Sequence, residues 1–209
     1  MTSFDRKSHW EQVYSDKSHL EVSWHQNDPA LSLQMIENTG IGKDAAILDV
    51  GGGASVLVDH LHTLGYSRLA VLDISAKSLA VAQQRLGDSA KDIEWYEADI
   101  TGFRPAHEFS LWHDRAVFHF LTEAPDREKY VATLKSALSP DGHVILAAFA
   151  IGGPTQCSGL DIVQYDSTRL LEALGDEFRL VEELSETHIT PAGKQQKFSY
   201  FRLARRATG

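Results

Sequence analysis

Two carboxylates, three consecutive glycines and a His-Asp-Arg run are the residues of this sequence whose types and spacing can do chemistry. Asp49 lies near the end of the apolar run "AILDV", two positions before Gly51, Gly52 and Gly53. Asp73 lies in a second apolar run, "RLAVLDI", twenty positions after Gly53. Glycines without Cβ atoms permit a tight turn and let a ligand approach the backbone. A carboxylate at the end of the next strand is placed to accept both hydroxyls of a ribose. The third feature is "FSLWHDR", in which His113, Asp114 and Arg115 end a fourth apolar run, with His119 four residues beyond.

Two ligand classes suit a ribose acid beside a bare loop: a dinucleotide and S-adenosylmethionine. The dinucleotide loop needs a G-x-G-x-x-G pattern, and its last glycine falls on Val56 here. Asp49 is also badly placed beside a pyrophosphate but suits a ligand bearing an ammonium and a sulfonium. A Tyr-x-x-x-Lys pair is missing at Tyr130, which is followed four residues on by Leu134, and there is no G-x-x-x-x-G-K-[ST] loop. The residues favour S-adenosylmethionine, with S-adenosylhomocysteine as the product.

The elements that must hold these groups follow from the hydropathy pattern. "FDRKSHWEQVY" and "DPALSLQMIENTG" read as helices, the second with Asp28 as cap, Pro29 in its first turn and Gly40 as its stop. From residue 45 strands and helices alternate. "AAILDV", "RLAVLDI", "IEWYEADI", "FSLWHD" and "HVILAAFA" read as strands. Between the first two, "SVLVDHLHTLG" reads as a helix with Val56, Leu57, Leu61 and Leu64 inward. "SAKSLAVAQQRL" follows the second, capped by Ser75, with Ile74 and Leu79 placed as a hydrophobic staple. "PDREKYVATLKSAL" is a helix ended by a turn at "SPDG". A loop over 151–164 and a helix near 166–174 precede two strands, "FRLVEELSE" and "KFSYFRLA", joined by "TPAGKQ" as an antiparallel hairpin. Such alternation predicts a doubly wound α/β sheet, parallel and covered on both faces. The chain reads as a single domain over 1–209, with helices over 1–40, a core over 41–150, and a loop and terminal strands over 151–209.

"LDVGGGAS", "LDIS", "YEADI" and "FSLWHDR" resemble, in order and spacing, the successive cofactor motifs of the class I S-adenosylmethionine-dependent methyltransferases. The resemblance covers roughly residues 40–150 and implies a Rossmann-like sheet of seven strands with the last strand antiparallel, matching the terminal hairpin. It implies that Asp49, Gly51, Gly52 and Gly53 hold the methionine moiety, Asp73 the ribose, and Ile74, Asp99 and Ile100 the adenine. Ser55 departs from the pattern by replacing the last glycine of the loop. "HWEQVY" followed by "EVSWHQ" is similar to the N-terminal lid of two subgroups, the thiopurine and thiol S-methyltransferases and the protein-lysine methyltransferases acting on elongation factors. "FSLWHDRAVFHFLTEAPDREKY" looks more like the thiopurine type, where Trp-Asp-Arg follows the fourth strand; here a His is inserted.

Methyl transfer is an in-line displacement at a carbon already activated by its leaving group, so alignment and exclusion of water matter most. A base is needed only where the nucleophile arrives protonated. His113 is assigned to the cofactor, and Asp114, Arg115 and His119 to the catalytic set, Asp114 and Arg115 orienting the substrate and His119 sharing a helical face with Arg115. The competing structural reading makes Asp114 and Arg115 an ion pair that holds the strand-to-helix turn. Trp10, Tyr14 and Trp24 are assigned to a lid over the cofactor, against ordinary helix packing. Cys157 reads as a buried, inert thiol. His60 and His62 diverge on a helix, and no metal site is predicted.

The whole chain narrows the partners. Its 209 residues carry 20 Lys plus Arg against 29 Asp plus Glu, a formal charge of −9. That balance argues against a nucleic-acid partner, and the basic run "RLARR" at 202–206 reads as a solvated tail. One cysteine, no signal-peptide core and no span-length apolar run predict a cytoplasmic protein with no membrane partner. The expected state is a monomer or weak dimer. The expected acceptor is a small-molecule nucleophile, with a protein lysine as its closest rival and a non-catalytic S-adenosylmethionine-fold binding module as the alternative of another class.

Overall fold

Ala46–Val50 (β1) is buried along its whole length, because both faces of the sheet it starts are covered. Side chains alternate across a strand, and β1 divides its residues accordingly. Ile47 packs on one face with Leu57, Leu61 and Met35, while Leu48 and Val50 pack on the other with Trp112, Phe118 and Leu134. The structure, a computed structural model, describes residues 4–206.

β1 pairs in parallel with Arg68–Asp73 (β2) on one side and Phe109–Arg115 (β4) on the other. Ile93–Glu97 (β3) and Leu138–Phe149 (β5) extend the parallel set outward. Two further strands, Phe178–Ile189 (β8) and Gln195–Arg205 (β9), complete seven, in the order β3-β2-β1-β4-β5-β9-β8. β9 lies between β5 and β8, antiparallel to both. This is the Rossmann-like arrangement expected. The order reverses between β1 and β4, and at that switch point the strands' carboxyl ends leave a crevice.

The helices differ from expectation at their ends. Helix Ala30–Glu37 (α2) is capped at Pro29, with no side-chain cap; Asp28 does not take that place. Helix Leu57–Thr63 (α3) starts two residues later than the pattern predicts, and Leu64 is exposed at its end rather than inward. Ser75 does cap Ala76–Leu86 (α4), accepting from Ser78 N–H, and Leu79 is buried. The "SPDG" stretch does not separate helix Ala124–Ala137 (α5) from β5. It lies inside β5 as an irregularity, the register moving from Phe109↔Leu138 to Leu111↔His143. The 151–164 loop contains a small hairpin, Gln156–Cys157 (β6) with Leu160–Asp161 (β7), ahead of helix Ser167–Leu174 (α6). "RLARR" is no tail: Arg202–Arg205 belong to β9, Leu203 and Ala204 are buried, and Arg202 and Arg205 pair with Glu182 and Glu177. Among the described residues no helix is long and apolar enough to cross a membrane.

The N-terminal helix Arg6–Asp16 (α1) is capped by Asp5, whose carboxylate accepts from Ser8 N–H at 3.0 Å. It buries none of its residues and lies across the carboxyl ends of the parallel strands, next to α4.

Candidate active site

The crevice holds two adjoining cavities. The larger encloses roughly 790 Å³ including its open mouth and runs from Asp73, Ile74, Asp99 and Ile100 to Gly51, Val117 and Phe120. Trp10, Tyr14 and Trp24 cover it. The smaller, roughly 580 Å³ measured the same way, continues past Gly51 and Gly52 to Asp49, His113 and Ser32. Tyr14, Trp24, Gly51 and Arg115 line both.

The glycine loop is bare for steric reasons that differ at each position. Gly51 has φ +70°, and a Cβ there would stand 2.1 Å from Val117 Cγ2. A Cβ on Gly52 would meet Asp49 Oδ2 at 2.3 Å, and one on Gly53 would meet Ser78 Oγ at 2.2 Å and Asp73 Oδ2 at 2.4 Å. The loop thus folds directly onto the two acids. Asp73 takes Ser75 N–H on Oδ1 at 2.9 Å and is 7% exposed. Burial pushes its carboxyl up to about 6, against the pull of the Ser75 and Ser78 hydrogen bonds; the nearby charge of Asp49 adds to the rise.

Strand alternation divides the His-Asp-Arg run. The ladder sets His113 directly beside Asp49, so the two side chains share a face. His113 Nδ1 lies 2.7 Å from Asp49 Oδ1, and its Nε2 lies 2.9 Å from Ser32 Oγ on α2. Asp49 Oδ2 is buried with no partner. Arg115 emerges on the same face. Its Nε donates to Tyr200 Oη at 2.8 Å and its Nη1 to the Trp24 carbonyl at 2.9 Å, and the guanidinium stacks 4.5 Å over Phe198. Tyr200 donates in turn to Glu186, which also accepts from Gln26. Arg115 Nη2 is buried without a hydrogen-bond partner, 3.6 Å from Glu186 Oε2.

Asp114 points to the opposite face and lines neither cavity. It is fully buried, accepting from Val117 N–H at 2.8 Å, Phe118 N–H at 3.1 Å and Tyr130 O–H at 2.6 Å. The same Tyr130 hydroxyl accepts from Trp112 Nε1. Burial pushes Asp114 up to about 6, and these donors hold it from rising further. Asp114 therefore fastens the turn after β4, though through backbone N–H groups and a tyrosine rather than through Arg115.

His119 is not on a helical face with Arg115 either. Arg115 ends a strand, Ala116 follows with φ +73°, and only a short 3₁₀ turn, Phe118–Phe120, holds His119. That histidine is fully buried between Phe120 and Phe149, lines neither cavity, and has no partner at either ring nitrogen. Burial, with the charge of Arg115, pushes it down to about 3, so it stays neutral. Cys157 is buried at the wall of the larger cavity, 3.9 Å from Ser23 Oγ.

Sequence reasoning missed Ser32, Tyr200, Glu186 and Arg6, all brought in from distant segments. It had the signal that separates Asp114 from its neighbours, since a period of two along β4 puts His113 and Arg115 on one face and Asp114 on the other. Trp10 packs edge-on against Trp24 and Phe120, at centroid distances of 5.7 and 5.0 Å.

Residues 47–142 match a family model described as a methyltransferase domain. Among curated relatives, EEF1A lysine methyltransferase 2 of Danio rerio is 27% identical over 83% of this chain and 72% of its own length. A ubiquinone biosynthesis O-methyltransferase of Aromatoleum aromaticum is 26% identical over 59% of this chain and 51% of its own. Among solved structures, the N-methyltransferase NodS of Bradyrhizobium japonicum in complex with S-adenosylhomocysteine superposes with a TM-score of 0.70 at 18% identity, covering 96% of this chain and 99% of that one. The matched residues run from β1 to the start of β5 and include the glycine loop at the switch point, and together with these relatives they mark the chain as an S-adenosylmethionine-dependent methyltransferase.

Proposed function

We propose that this enzyme methylates a small-molecule nucleophile held beneath the N-terminal helix. One observation carries the cofactor's orientation. Two buried polar atoms, Asp49 Oδ2 and Arg115 Nη2, have no hydrogen-bond partner among the described residues, the latter keeping only its 3.6 Å ion contact with Glu186, and both residues line the cavity that contains Gly51 and Gly52. An unpaired buried donor or acceptor costs about 1–3 kcal/mol, more for charged groups. A group that brings both an ammonium and a carboxylate relieves both atoms at once, and the methionine moiety is such a group. Asp73 then takes the ribose hydroxyls, and Ile74, Asp99 and Ile100 border the adenine. S-adenosylmethionine supplies a methyl group already activated by its sulfonium.

The chain's own residues orient and seclude. Arg115, set by Tyr200, Trp24 and Phe198, fixes one end of the ligand. His113 is held between Ser32 and Asp49 and keeps the acid in place. Trp10, Trp24 and Phe120 form an aromatic wall that excludes water, and aromatic faces favour a positive sulfonium. Neither Asp114 nor His119 is offered a role in proton transfer, since neither reaches the cavities.

The wall also favours a small acceptor, because Trp10, Tyr14 and Trp24 line the same cavity as Val117 and Phe120. The second reading, a protein lysine, is favoured by the likeness to EEF1A lysine methyltransferase 2. Calorimetry should show S-adenosylhomocysteine binding where NAD does not bind. Transfer of labelled methyl should then go to members of a panel of thiols, phenols and carboxylates. Label appearing only on protein bands of a lysate would replace the small molecule by lysine, and NAD binding alone would end the reading.

A further inference from the structure

We propose that Arg6 is a positioning residue that fastens the N-terminal helix across the adenine end of the cofactor cavity and thereby sets how fast the cofactor leaves. The proposal rests on the cofactor reading above. Arg6 is the first residue of α1 and lines the larger cavity. Its Nη1 donates to Asp99 Oδ2 at 3.3 Å, and its Nη2 donates to Asp126 in the first turn of α5. The two acids stand on separate elements. One guanidinium therefore staples α1 to the loop after β3 and to α5 together, its planar fork giving each acid a separate amino group.

Asp99 is committed to this arrangement by its other oxygen. Oδ1 takes Thr101 N–H at 2.9 Å and Thr101 Oγ1 at 2.7 Å, leaving Oδ2 to Arg6. The carboxyl sits below its ordinary range: its Thr101 and Arg6 partners outweigh burial, the largest single influence, which pushes the other way. The carboxylate that borders the adenine is thus also the one that anchors the helix.

α1 needs such an anchor because it buries none of its own residues. Its other attachments include Trp10 against Trp24 and Phe120, Tyr14 against Trp24, ion pairs of Lys7 with Glu97 and of Lys77 with Glu11, and a hydrogen bond from Lys77 to Ser15. Both members of the Lys7–Glu97 pair are more than 40% exposed, whereas the Arg6 side chain is 28% exposed and that of Asp126 is 22%. Exposed pairs contribute little, so the shielded fork carries most of the ionic attachment. A ligand under α1 leaves only when the helix lifts, and gating of this kind shows in the dissociation rate.

The test is stopped-flow release of S-adenosylhomocysteine from the full chain, read by the fluorescence of Trp10 and Trp24. Arg6→Gln should release it about tenfold faster, and Asp126→Asn, outside the cavity lining, a few-fold faster. The double variant should be no faster than Arg6→Gln, since the two share one interaction. Raising NaCl from about 0.05 to about 0.5 M should speed release from the unaltered protein and leave Arg6→Gln unchanged. The melting temperature without ligand should move by less than about 2 °C, because the effect lies in the closed complex. Release from Arg6→Gln at the unaltered rate would overturn the fastening while leaving the cofactor reading intact. Failure of the unaltered protein to bind S-adenosylhomocysteine would overturn both.

Discussion

The two halves of the site are built in opposite ways. The half at the ends of β1 and β2 is local: Asp49, the three glycines and Asp73 lie within twenty-five residues, and the strand register alone brings them together. The half around Arg115 is assembled across the chain. It needs the Trp24 carbonyl from the N-terminal segment, and Glu186, Phe198 and Tyr200 from the terminal hairpin. The local half is rigid because its parts have nowhere else to go. The assembled half is as rigid as the docking of two distant segments allows.

Asp73→Ala should break the local half with the largest effect. Losing a carboxylate placed for two ribose hydroxyls costs on the order of 2–4 kcal/mol, so S-adenosylhomocysteine affinity should fall thirtyfold or more by calorimetry. The pH profile sharpens the same point. In the proposed ribose role Asp73 accepts both hydroxyls only when ionised, and burial pushes its carboxyl up to about 6. Affinity should therefore be flat above that pH and fall by about tenfold per unit below it. The sign for stability is opposite. A carboxyl raised from 3.8 to about 6 binds its proton more tightly when folded, so the ligand-free protein gains stability as pH drops from about 6 towards 3.8; Asp114 contributes in the same direction.

Asp114→Asn should separate fold from site. An amide in place of the carboxylate sets an N–H₂ against the Val117, Phe118 and Tyr130 donors. The expected cost is about 1–3 kcal/mol of stability, read as a lower melting temperature. Affinity for S-adenosylhomocysteine should stay within about threefold at a temperature where the variant is folded. A stable variant with lost turnover would restore Asp114 to the reaction and cancel the division of the run by strand alternation.

Tyr200→Phe gives the smallest effect and probes the assembled half. It removes one hydrogen bond from Arg115 Nε and one to Glu186, about 0.5–1.5 kcal/mol each. The loss should appear as a severalfold rise in KM with Asp73-dependent ribose binding intact. An effect as large as that of Asp73→Ala would mean that the two halves are not separable.

This division explains what could be read from the sequence. The glycines, Asp49, Asp73 and the Ser75 cap follow from strand ends and helix starts, which are local patterns. The parallel strands were legible for the same reason, most plainly β1, β2 and the second half of β5, which are nearly continuous apolar runs. Asp28 was a plausible cap by type, but Pro29 takes the position, because a cap is decided by the dihedral angles of one residue. His119 could not be placed by spacing, since the left-handed φ at Ala116 breaks any helix that would join it to Arg115. Arg6, Ser32, Glu186 and Tyr200 carry no local signal: each acts through a contact more than eighty residues away or across the hairpin.

The strand order also fixes a sequence of events in time. β9 leaves the ribosome after both β5 and β8, yet it lies between them in the sheet. Until residues 195–205 emerge, β5 offers an open edge and β8 has no strand to pair with. Non-local pairing of this kind is slow and exposes the chain to association with other chains. Phe198 and Tyr200, the floor and the anchor of Arg115, arrive with that same strand. The nascent chain can therefore bring Asp49, the glycine loop and Asp73 together well before the Arg115 guanidinium is set, and the insertion of β9 joins β5 to β8 and fixes Arg115 in one step.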